Sequence, residues 1–242
     1  FINGGVDGQS SYGHMQSIKE WHSKYLKQQD VKTIIFYIGI NDRRLLSNKF
    51  DSWDKAQNDF SYIRNLLKDN SYFVKIISIA RNKIDFILDS NKSVPDLLQA
   101  HLPRKINFKK EGLKYELEDD IDLSLYPLYN EVFSNLLLVT NSYFPKSNIF
   151  IIQQQIPGCR FLSKKIVFDR HPIIGSEYCS NLIKVYQIQE KIIENSSLKE
   201  KIEILPMYLK EIILDDDVYD YTHTNKYGSL KISEYISKFI IN

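Results

Sequence analysis

The chain has 242 residues, of which 43% are hydrophobic and 26% charged, a make-up suited to one globular domain with a proper core. Thirty-two basic against thirty acidic side chains leave a net +2 with no basic cluster, which argues against nucleic acid or an anionic membrane as partner. The longest apolar runs, TIIFYIGI and NLLLV, fall far short of the about 18 residues that a spanning helix needs. In chain order, FIN at 1–3 reads as the end of a strand, followed by a glycine-rich turn and a helix over 12–28. The helix is marked by the spacing of Met15, Ile18, Trp21, His22 and Tyr25. VKTIIFYIGI at 31–40 is a buried strand, and helices follow at 54–68 and 72–89. The stretch 90–124, broken by Pro95 and Pro103 and highly charged at its end, reads as an elaborated loop. Then come a helix at 126–144, a strand at 147–155, a helix at 178–195, a strand at 202–207 and a final helix at 226–240, capped by Thr224 or Asn225. Near-continuous apolar strands alternating with helices predict one α/β domain, 1–242, around a mostly parallel sheet.

Three stretches carry chemistry. The first, NGGVDGQS at 3–10, puts three of the nine glycines of the chain at a strand-to-helix turn. Such a turn offers backbone N–H groups and the positive end of a helix to an anion, although a plain βα connection has the same composition. The second, GIND at 39–42, lies just past a strand end. There the Asn41 amide can donate to a substrate oxygen, while Gly39 and Asp42 support the turn, Asp42 by accepting backbone N–H groups. The third, DYTH at 220–223, sets Asp220 two residues clear of His223, a spacing that lets the carboxylate orient the imidazole as a general base. A surface ion pair is the competing reading.

Taken in order, these blocks resemble those of the SGNH/GDSL hydrolase family, and GVDGQS followed by an aromatic residue and Gly-His resembles one bacterial subgroup of it closely. The resemblance implies a flavodoxin-like three-layer α/β/α sandwich and ester hydrolysis through an acyl-enzyme, with neither metal nor organic cofactor. It implies that the Gly8 N–H and the Asn41 side chain form the oxyanion hole, with His223 as base and Asp220 as its orienter. The expected substrate is a small ester or an O-acetylated glycan. The family's nucleophile block, Gly-Asp-Ser or Gly-Gly-Ser after the first strand, is missing, as is that N-terminal strand. The nucleophile is therefore expected upstream of Phe1, where any signal or membrane anchor would also lie.

Other residues are weaker candidates. Ser10 and Ser11 lie beside the first block and are substitutes for the nucleophile only if they are not caps of the helix start. His14 and His22 read as packing or surface residues, and His101 belongs to the elaborated loop. Gln155, Arg160 and His171 flank a loop on the crevice side, where turn and surface roles compete with substrate contact. Cys159 and Cys179 are twenty residues apart with no metal-ligand spacing around them; two thiols do not make a disulfide framework and leave the compartment open. Two rival functions remain. One is a non-catalytic SGNH-like binding module, which has no use for a paired base and orienter. The other is a nucleotide-binding flavodoxin-like protein, which is weakened by the absence of G-x-G-x-x-G and of a P-loop lysine.

Overall fold

A computed structural model of the chain describes residues 9–26, 31–48, 50, 113–163, 166–169, 177–219 and 222–240. The strand end at 1–3, the helices at 54–68 and 72–89 and most of the 90–124 loop lie outside these residues.

Three strands rich in β-branched and aromatic residues form a parallel sheet in the order β1-β3-β6: β1 (Thr33–Ile38), β3 (Asn148–Gln153) and β6 (Ile202–Leu205). Ile35 of β1 faces Phe150, and Ile151 faces Ile204 of β6. The middle strand β3 is buried from Ile149 to Gln153, as expected of a strand apolar on both faces. Its odd residues Ile149 and Ile151 join a core built with the helices before it and between β3 and β6. Its even residues Phe150 and Ile152 pack with Leu205 and Met207, and against Ile232, Tyr235 and Ile236 of the last helix.

The helices follow their apolar periodicity. Helix α1 (Ser11–Ser17) buries Tyr12 and Met15, continues through a π-helical turn (Ile18–His22) and ends as α2 (Ser23–Leu26). That turn adds a residue to the helical repeat and rotates the residues beyond it about the helix axis. As a result Trp21 and Tyr25, expected on the buried face, are 61% and 75% exposed. Helix α3 (Pro127–Tyr143) starts with its proline in the first turn, where no N–H is missed, and buries Tyr129, Val132, Phe133, Leu136, Leu137 and Thr140 along one face. Helix α4 (Tyr178–Glu194) buries Leu182, Ile183, Tyr186, Gln189 and Ile193, and α5 (Lys226–Ile240) closes the described chain. Among the described residues no helix is long and apolar enough to cross a membrane.

A second sheet, antiparallel in the order β2-β5-β4, was not expected: β2 (Leu113–Glu116), β4 (Cys159–Ser163) and β5 (Ile166–Asp169). Strand β2 belongs to the stretch read as loop. Its four residues, flanked by charge, carry too little apolar pattern to announce a strand without its partner β5. Cys159, first in β4, is disulfide-bonded to Cys179 in the first turn of α4, so the two thiols left open by their spacing are paired. The bond ties the second sheet to a helix that packs on the first.

Candidate functional site at the carboxyl end of the parallel sheet

Strand β1 ends in a turn that is held from several sides. Gly39 has φ +135, and a Cβ there would lie 2.4 Å from Cε1 of Tyr186, so only glycine passes between the strand end and helix α4. The next N–H, of Ile40, donates to the side chain of Gln154 at 3.0 Å, and the Tyr186 hydroxyl donates to the Gln154 carbonyl at 2.6 Å. Ends of adjacent strands are thereby stitched together above the sheet.

Asn41 opens a 3-10 turn (Asn41–Ser47). Its amide donates one hydrogen to the backbone carbonyl of Gln9 at 3.2 Å, and Gln9 adjoins Gly8, itself outside the described residues. An amide nitrogen has two hydrogens, so this anchor leaves one for a ligand. Asp42 is fully buried, and its carboxylate accepts the Ser11 N–H at 2.6 Å, the Ser11 hydroxyl at 2.7 Å and the Tyr129 hydroxyl at 3.1 Å. Asp42, expected to hold its own turn, in these bonds joins β1, α1 and α3 instead. The network runs on, with Gln189 of α4 donating to the Tyr129 hydroxyl at 2.9 Å and Gln153 of β3 donating to Gln189 at 3.4 Å. Burial, then the Asp42 charge, push the Tyr129 phenol well above its ordinary pKa, so it stays a donor.

This network decides the standing of the nearby serines. Ser11 is completely buried with its hydroxyl committed to a carboxylate, and no imidazole stands in that bond. Ser10 occupies the N-cap position of α1, yet its side chain makes no capping hydrogen bond, contrary to the capping role expected of it. His14 is half-buried with its ring edge-on to Phe36 at 6.0 Å, and burial, with the neighbouring His22, lowers its pKa to about 4. It packs rather than titrates near neutrality.

The loop after β6 carries the third block. Gln155, just beyond β3, uses both ends of its buried amide on one residue of that loop: it donates to the Ile213 carbonyl at 2.8 Å and accepts the Ile213 N–H at 2.9 Å. Gln155 is therefore a clamp on the loop rather than a surface residue. Arg160 pairs with Glu211 at 3.6 Å, both side chains at least half exposed. These residues edge a cleft of about 330 Å³ between the turn after β3 and the loop after β6.

Further on, Asp217 accepts the Leu214 N–H at 2.8 Å and the Lys231 ammonium at 2.6 Å. Val218 bridges Thr224, and the Tyr219 N–H donates to the His223 carbonyl at 3.0 Å. Residues 218 and 219 are thus paired with 224 and 223. His223 is exposed, with its ring stacked on Tyr219 at 5.7 Å. Asp220 lies outside the described residues. Asn225 then caps α5, accepting the N–H groups of Tyr227 and Gly228. His101 and His171 also lie outside the described residues.

The sequence does not mark Asp217, and it marks Gln155 only as a crevice-side residue, not as a clamp. Asp217 reads as part of a solvated acidic run, DDD, and Gln155 as one of three consecutive glutamines; neither pattern says which side chain turns inward. Compared with protein-family models, with curated proteins and with solved structures, the chain matches none.

Proposed function

We propose that this chain is an SGNH-type serine ester hydrolase with a flavodoxin-like three-layer sandwich fold, acting on a small ester or an O-acetylated glycan. One observation carries the reading: the Asn41 amide is anchored on the carbonyl of Gln9, so Gln9 of the first block and Asn41 of the second, 32 residues apart in sequence, meet at one strand end. A turn holding backbone N–H groups beside a fixed amide with a spare hydrogen is what a developing oxyanion requires.

In this reading the nucleophilic serine comes from upstream of Phe1 and attacks the acyl carbonyl. His223 takes its proton and returns it to the leaving alcohol, with Asp220 holding the imidazole. Gly8 and Asn41 stabilise the tetrahedral oxyanion, and water then releases the acyl group by the same steps in reverse order. The exposure of His223 suits a base that must meet substrate. The mechanism calls for neither metal nor organic cofactor.

The test is acetate release from acetylated polysaccharide by the full-length gene product. Removing one oxyanion donor typically raises the barrier by about 2.7–4 kcal/mol, so Asn41→Ala is expected to lower kcat roughly a hundredfold or more with the fold intact. A loss below about threefold would exclude the oxyanion role, since it corresponds to less than about 0.7 kcal/mol. Turnover confined to long-chain lipid esters would overturn the substrate class.

A further inference from the structure

We propose that Arg43 recognises an oxyanion group, a carboxylate or a sulfate, carried by the substrate beside its ester. The proposal rests on the hydrolase reading for its place in turnover, but the anion contact can be measured without turnover.

Arg43 stands two residues after Asn41 on the same 3-10 turn. Its Nε donates to the Ile40 carbonyl at 3.0 Å, and its guanidinium carbon lies 3.6 Å from the centroid of the Tyr178 ring. With Nε and one face engaged, the group is oriented in advance, and its terminal nitrogens form the remaining edge. It is half-buried, yet no described carboxylate comes within ion-pairing distance of it. Burial is the main influence disfavouring its charge, and the charged group acting on it is Arg44, of like sign.

Tyr178 is also the first residue of α4, so the positive end of a 17-residue helix points to the same place. Glu177, in the cap position there, makes no side-chain capping bond. Five other described cations, Lys24, Arg160, Lys184, Lys191 and Lys231, each meet an acid. Stacking on an aromatic ring returns only about 0.5–2 kcal/mol to a partly desolvated cation. A positive group withdrawn from water, held in one orientation and left without a counter-charge among the described residues, beside a candidate catalytic turn, is a binding group awaiting its anion. The planar fork of arginine matches two oxygens of a carboxylate or sulfate at once. Tyr178 fixes that fork, and Asn41, two residues away, faces the reacting acyl oxygen in the proposed mechanism.

The test uses calorimetry on the full-length gene product at constant ionic strength, with glucuronate, glucose 6-sulfate and glucose as probes. One or both of the anionic sugars are expected to bind, and which one does names the group. Glucose is expected to bind at least about tenfold more weakly, and Arg43→Gln to abolish that preference. Arg43→Lys keeps the charge but loses the fork, and is expected to weaken binding severalfold; it serves as the second variant if Arg43→Gln does not fold. Equal affinity for the charged and uncharged sugars, or unchanged affinity in either variant, overturns the proposal. Competitive inhibition of ester turnover by the bound anion supports its location beside the acyl site, and purely non-competitive inhibition overturns that location. Should His223→Ala leave ester turnover intact while anion binding still depends on Arg43, the hydrolase reading fails and the anion contact stands.

Discussion

Asp42 is the residue on which most of the candidate site converges, since three donors from two helices reach its carboxylate inside the core. Removing one partner of such a buried network leaves the others unsatisfied in a medium where they cannot reach water. Asp42→Ala is expected to destabilise the protein by about 3–5 kcal/mol, whereas Tyr129→Phe, which removes one of its donors and the acceptor of the Gln189 amide, should destabilise it by about 1–2 kcal/mol. Urea denaturation of both variants measures this, and similar midpoints for the two would refute the central place given to Asp42.

His14 makes a second prediction at the same scale. Its folded pKa, about 4, lies below its ordinary 6.5 because burial disfavours the imidazolium. The unfolded chain therefore binds the proton more readily, so the contribution of His14 is complete above pH 6.5 and is lost as pH falls toward 4. Between pH 7 and pH 5 it amounts to about 2 kcal/mol, and His14→Gln should flatten that part of the stability profile. A profile unchanged by the substitution would assign the dependence to other groups.

Among the elements, the disulfide is the one covalent tie between the two sheets' surroundings, running from the start of β4 to the first turn of α4. The loop it closes spans 20 residues, for which restricting the unfolded chain stabilises the fold by about 3 kcal/mol. At about 2–4 °C per kcal/mol for a chain of this size, reduction should lower Tm by about 6–12 °C. Melting curves with and without reductant, and of a Cys159→Ser, Cys179→Ser double variant, check this; coincident curves would mean that the bond does not form in solution. The same tie secures α4 where Tyr178 carries Arg43 and Tyr186 closes over Gly39, so reduction should also loosen the turn that holds Asn41.

For the molecule as a whole, the candidate site is assembled from segments that share an edge of the sheet but not a stretch of sequence. Gly39 to Arg43 follow β1, Gln153 to Gln155 end β3, and the loop after β6 carries His223, which is paired there with Tyr219. The parallel order β1-β3-β6 turns the carboxyl ends of all three the same way, which is why the loops leaving them gather on one side. Each loop is then held by a side chain from another segment: Gln154 on Ile40, Asp42 on Ser11, Gln155 on Ile213 and Asp217 on Lys231.

What the sequence determined by itself was local. The runs TIIFYI and NIFIIQ announced strands because a parallel strand is apolar on both faces, and the 3.6-residue rhythm of α3 and α4 announced helices because only one stripe of each is buried. Asn225 was legible as a cap and Asn41 as the residue past a strand end, since both roles depend on nearest neighbours. Tertiary structure alone decided the partners: that Asp42 would receive Ser11, that Gln155 would turn inward onto Ile213, that Cys159 would find Cys179, and that LKYE would be a strand at all. Each depends on a group brought close by the path of the whole chain, and a carboxylate, an amide or a thiol bears no mark in sequence of the donor, backbone or sulfur that the fold will set beside it.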